Sequence, residues 1–243
     1  MAKFGKWLGG GLGWAFGGPI GAILGFAVGS AIDSVVSVEG GVVHNQSGRR
    51  KANDFSLSLL VLIAAVMKAD GKVLKSELDY VKQFFLKQFG SEHTQELLIT
   101  LRDILQKDIP VQEVCLQIKT YTLYPARLQL IHLLFGVASV DGHVHQDELD
   151  VIKLIAGNLG IKPNDFVSIK AMFFKEVDGD YKILEIEKSV SDDEVKKAYR
   201  KMAVKYHPDK VAHLGEEFQK SAKEKFQKVQ EAYENIKKQR GMN

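Results

Sequence analysis

With 243 residues, 45% of them hydrophobic and 26% charged, the chain can build an N-terminal feature plus one medium and one small domain. Its net charge of +3 is too low for a disordered polyelectrolyte. The single cysteine, Cys115, excludes an intrachain disulfide, and its helical spacing from Ile118 marks a packed core thiol.

The first six residues form a short tail, and Trp7 to Ile32 then runs for 26 positions without a charged side chain. As a helix at about 1.5 Å per residue this stretch reaches about 39 Å, against about 30 Å of bilayer hydrocarbon. A flexible linker would be Ser-rich and polar, and a signal-peptide core is shorter, whereas this segment carries Leu12, Phe16, Ile20, Ile23, Leu24, Phe26 and Val28. The expectation is a single-pass transmembrane helix over 7–32. Gly9, Gly13, Gly17, Gly21, Gly25 and Gly29 recur every four residues, a stripe on which a second helix can approach closely, most simply in a homodimer. Lys3 and Lys6 nearly balance Arg49, Arg50 and Lys51, so charge alone does not orient the helix.

Residues 33–52 read as a juxtamembrane connector. From there to 174 the pattern is helical throughout and nowhere alternates with strand period, which predicts an all-α bundle over 53–174. Asp54 is the expected cap of a helix through Leu59, Leu62, Ile63 and Val66. Ser76 opens a second helix that stops at Gly90, and Ser91 starts a third. Pro110 and Pro125 stand where first helical residues belong, and further helices are expected over 146–158 and 164–174. Within the bundle, Asp70-Gly71-Lys72-Val73 with Glu77 recurs 71 residues later as Asp141-Gly142-His143-Val144 with Glu148. Each copy is a helix, a short Asp-Gly turn and a helix, so the bundle holds an internal duplicated hairpin.

A short linker, 175–180, leads into a basic module over 181–243. From Tyr181 onward 15 Lys/Arg face 11 Asp/Glu, whereas the remainder balances 18 against 19. Ser191 and Glu194 form a capping box. The helix that follows sets Val195, Ala198, Tyr199, Met202 and Tyr206 on one face and Lys196, Lys197, Arg200, Lys201 and Lys205 on the other. Pro208 disfavours helix at His207 and ends it. A second stripe through Phe218, Ala222, Phe226, Val229, Ala232, Tyr233 and Ile236 predicts an antiparallel partner helix. The basic face and the His207-Pro208-Asp209 loop are expected in water.

The run Ala198-Tyr199-Arg200-Lys201 to Tyr206-His207-Pro208-Asp209-Lys210, preceded by Tyr181-Lys-Ile-Leu-Glu-Ile and followed by Glu231-Ala232-Tyr233-Glu234, resembles a J domain from end to end. The glycine-striped segment and the helical domain, which is similar to the TerB tellurite-resistance domain, extend the resemblance to DjlA-like membrane-anchored J-domain proteins over nearly the whole chain. That resemblance implies a co-chaperone with no chemistry of its own. Lys197, Arg200, Lys201 and Lys205 would dock on an acidic surface of a DnaK-type chaperone, and His207, Pro208 and Asp209 would accelerate its ATP hydrolysis. It also implies a bacterial inner-membrane protein, N-terminus outside, with both folded domains in the cytoplasm. Nucleic-acid binding would need no such loop after the basic helix and is not expected. DjlA-like proteins often carry a longer linker before the J domain than the one here.

The two Asp-Gly turns admit two readings. Asp-Gly-x-Val-x-x-x-Glu matches the second half of a calcium loop, but the first half fails, with Val66 and Lys68 or Val137 and Ser139 at the ligand positions. The resemblance to TerB-like domains implies pairing of the turns, so that Asp70, Glu77, Asp141 and Glu148 hold one divalent cation. The other reading is that each Asp makes a turn and each Glu caps the next helix. The alternative function attached to the first reading is a metal or envelope-stress sensor that uses the J domain as its effector.

Overall fold

The computed structural model describes residues 47–174 and 176–242, together with Ile20, with side chains from Ser56 onward. The fold is all-α, and no strand occurs among the described residues. The expected membrane helix and its glycines, Gly9, Gly13, Gly17, Gly21, Gly25 and Gly29, lie outside them. Among the described residues no helix is long and apolar enough to cross a membrane.

Helix α1 (Ser47–Met67) corrects the sequence reading at its start. It is already formed by Ser47, so the connector is shorter than expected and Asp54 lies inside the helix and does not cap it. Its apolar stripe is also wider than four residues, because every side chain from Leu59 to Val66 is buried along with Met67. A helix buried all round is a hub, and α1 packs against α2 (Lys75–Leu105), α3 (Val111–Tyr121), α4 (Tyr124–Ala138) and α5 (Gln146–Asn158). The expected stop at Gly90 appears as a break within α2, where Gly90 takes φ 79° and ψ 175°. Cys115 is buried in this core, and burial pushes its thiol up to about 12. Helix α6 (Pro163–Ala171) closes the bundle.

The C-terminal module consists of α7 (Gly179–Ile183), α8 (Asp192–Lys205), a 3-10 turn (Pro208–Leu214) and α9 (Glu216–Arg240). Ser191 Oγ accepts from the Glu194 N–H at 3.4 Å, and Glu194 accepts from the Ser191 N–H at 2.8 Å. Helices α8 and α9 are locked face to face by Tyr199 and Tyr233, stacked at 4.3 Å with an interplanar angle of 14°. Arg240 ties the end of α9 to the start of the module, donating to Tyr181 Oη, Val190 O and Asp192 Oδ1.

The module is docked against the bundle on both sides of its linker. Glu176 is paired with Lys170 of the bundle and Lys182 of α7, and Ser168 of α6 donates to Ile183 O at 2.8 Å. Phe84 of α2 meets Phe218 of α9 edge to face at 5.4 Å, so one apolar core runs through both units. A fully buried Phe such as Phe218 contributes about 1.5–3 kcal/mol by leaving water.

Candidate functional site

The loop at the end of α8 is built by Pro208. It stops the helix at Tyr206 and starts the 3-10 turn, while His207 takes an extended φ of −61° and ψ of 130°. His207 Nδ1 accepts the Asp209 N–H at 3.3 Å, so the imidazole caps the turn that follows it. Its ring stands edge-on to Phe226 at 6.3 Å. Both polar side chains face solvent, His207 at 52% and Asp209 at 89% exposure, so the loop is a rigid, accessible projection.

The basic face of α8 is divided. Lys197 and Arg200 are exposed, and Lys201 is 69% exposed while lying 3.4 Å from Glu185. Lys205 turns inward. Only 20% exposed, it pairs with Glu185 of its own module and with Asp165 at the start of α6 in the bundle. Glu185 is buried and sits at φ 58°, a left-handed conformation that aims its carboxylate under α8. Asp165 is buried in turn and accepts from Tyr124 Oη. A cleft of about 710 Å³ opens here between bundle and module, lined by Tyr124, Lys162, Asp165, Lys201, Lys205 and Lys210.

The two Asp-Gly turns are near copies. Asp70 Oδ1 accepts the Lys72 N–H at 2.9 Å and Asp141 Oδ1 the His143 N–H at 3.0 Å. Glu77 accepts the Leu74 N–H at 2.9 Å and Glu148 the His145 N–H at 2.8 Å. Gly71 at φ 78° and Gly142 at φ 88° supply the left-handed step each turn needs. These are the bonds of the turn-and-cap reading. Glu77 and Glu148 are also buried and close enough for each to shift the other's carboxyl, so the fold brings the two halves of the repeat together. Burial foremost, with the facing Glu148 and Asp70 adding to it, pushes Glu77 up to about 7. Among the described residues no group of three or more His, Cys, Asp or Glu side chains is gathered as a metal site.

Sequence reasoning missed Asp165, Glu185, Gln88 and Lys225. Gln88 of α2 donates to Leu214 O at 2.7 Å and accepts the Glu217 N–H at 3.0 Å, capping α9 from another domain. Lys225 is fully buried between α9 and α4. Glu185 stood inside a quoted motif, but nothing in its neighbours marked it as a partner of α8.

Family comparisons agree with this geometry. The model of the co-chaperone DjlA transmembrane domain matches residues 1–52, that of tellurite resistance protein TerB matches 56–171, and that of the DnaJ domain matches 180–241. The co-chaperone protein DjlA of Vibrio vulnificus is 29% identical over 241 residues, with 83% of each chain covered. The protein of the same name from Vibrio cholerae is 28% identical over 233 residues, 81% of each chain. The chaperone protein DnaJ of Fusobacterium nucleatum is 52% identical over 54 residues, which is 22% of this chain and 14% of that protein. No solved structure matches the chain. With a transmembrane domain, a TerB domain and a J domain in that order, the chain is a DjlA-like, membrane-anchored J-domain co-chaperone.

Proposed function

We propose that this protein recruits a DnaK-type chaperone to the membrane surface and stimulates its ATPase. The observation that carries the reading is the His207-Pro208-Asp209 projection, solvent-exposed at the end of a helix that presents exposed Lys197 and Arg200, and Lys201 beside Glu185, to an acidic partner. Several like charges on one face steer such a partner, and a loop fixed by Pro208 and the His207 cap keeps contact geometry constant. ATP and the chaperone are cytoplasmic, so both folded domains lie on that side and the N-terminus outside. The glycine stripe at Gly9, Gly13, Gly17, Gly21, Gly25 and Gly29 then supports self-association in the bilayer. His207→Gln in the full chain tests the central claim. Stimulation of the ATPase should be lost while the unfolding free energy falls by no more than about 1 kcal/mol, the scale of the turn cap His207 supplies. Undiminished stimulation would sink the reading.

A second reading, a divalent-cation sensor, draws support from one observation, the meeting of Glu77 and Glu148 across the repeat. With Asp70 and Asp141 on the flanking turns they offer oxygen ligands of the hard type such ions take. Calorimetric titration with calcium or magnesium should give one saturable site that either Asp70→Asn or Asp141→Asn removes.

A further inference from the structure

The TerB domain holds the J domain by the very edge that a partner chaperone would use. Lys205 closes the basic helix, and Asp165, a TerB residue, occupies it. On the neighbouring α9, α4 covers Lys225, whose Nζ is fully buried and finds no hydrogen-bond acceptor. It lies 5.4 Å from the face of the Tyr206 ring, with the half-buried His132 on the TerB side. Pro125, Leu128 and Gln129 of α4 share with Tyr206, His207 and Lys225 a void of about 10 Å³, room for one water at most.

We propose that the TerB domain and a DnaK-type chaperone compete for this edge of the J domain, the docked arrangement being a resting state that the partner must displace. The inference rests on the co-chaperone reading above. Burying an ammonium without an acceptor is unfavourable by several kcal/mol, so docking is weaker than its apolar area alone would make it. Burial accordingly pushes Lys225 well below its ordinary value. Beside the Phe84–Phe218 contact, the interface is held by single hydrogen bonds: Gln88 donates to Leu214 O and accepts the Glu217 N–H, Ser168 donates to Ile183 O, and Ser221 meets His132 at 3.0 Å and Gln129 at 3.3 Å. The exposed part of the stripe, Lys197, Arg200 and Lys201, lets a partner arrive before the edge is released. Release then removes Asp165 from Lys205, leaving it paired only with Glu185 of its own module, and opens Lys225 to water.

Lysine labelling read by mass spectrometry reports the docked state independently of any chaperone activity. In the full chain in detergent micelles, Lys225 should react with an amine-specific reagent about tenfold more slowly than exposed Lys223 on the same helix. Gln88→Ala with Asp165→Asn, both changes on the TerB side, should raise Lys225 labelling. They should also tighten binding of a purified DnaK-type chaperone by the inverse of the fraction already open. Should the double variant not fold, the wild-type chain serves: adding the chaperone with ATP should by itself raise Lys225 labelling. Labelling that rises without tighter binding, or a bound chaperone that leaves Lys225 protected, overturns the competition. Absence of any binding or stimulation by either protein fails the co-chaperone reading and the competition with it, while the labelling contrast still reports whether the domains separate.

Discussion

Gln88 and Gly215 fit so closely that a Cβ on Gly215 would stand 2.0 Å from Gln88 Nε2. Gly215 is also at φ 106°, a region essentially closed to side chains, between the 3-10 turn and α9. The glycine thus serves both the chain reversal inside the J domain and the approach of a TerB side chain that caps it.

Gly215→Ala should therefore cost about 1–3 kcal/mol in backbone strain and further stability by displacing Gln88. In a Gln88→Ala background the second part has already gone, so the cost of Gly215→Ala should fall. Thermal unfolding of the four proteins in this cycle gives the answer. Strict additivity would mean that the contact carries no coupling energy.

The Glu77–Glu148 pair makes TerB stability depend on pH in a defined sense. Glu77 ionises near 7 in the folded chain against 4.5 ordinarily, so the fold binds more protons than the unfolded chain between those values. The stabilisation is complete below about pH 4.5 and is lost as pH rises through about 7. Glu77→Gln keeps an acceptor for the Leu74 N–H and can donate to Glu148, so it should flatten this dependence and raise Tm at pH 8. A bound divalent cation reverses the expectation: calcium or magnesium would raise Tm of the wild type at pH 8 and leave Glu77→Gln unchanged. Melting curves at pH 5 and pH 8, with and without the ion, separate the two.

Steering by the exposed part of the basic face predicts a kinetic signature. Lys197→Glu with Arg200→Glu should slow association with a DnaK-type chaperone by about tenfold at low salt and by less as the Debye length shrinks toward about 8 Å. Dissociation should change little. Surface-plasmon traces at two ionic strengths check this, and a loss confined to dissociation would exclude long-range steering.

Much of the architecture was legible from local signals. Ser191 with Glu194, Pro208 after Tyr206-His207, and Gly71 and Gly142 in matched turns each act within a few residues, where spacing reports geometry directly. That Glu77 and Glu148 meet was implied only by the resemblance to TerB-like domains, since the repeat by itself gives two similar turns and not their distance apart. What the sequence did not disclose acts across domains. Asp165 meets Lys205 and Gln88 meets Glu217 through packing that no periodicity encodes, and Lys225 reads as one more charge on a solvated helix until α4 is laid over it. The same limit explains α1: a four-residue stripe was visible, but burial on every side depends on four neighbouring helices.

That central helix has a mechanical consequence. The matched transmembrane domain reaches residue 52 and α1 is already formed at Ser47, so the match overlaps the first residues of the hub helix. Tension along the chain from the bilayer would reach the TerB core through α1, whose Leu59 to Met67 run through its middle. Leu59 to Met67 would all have to slide together past their neighbours. Resistance to such a pull is set by the unfolding rate of the whole domain rather than by any single contact. A J domain docked on that core would feel such a pull only through the TerB domain that carries it.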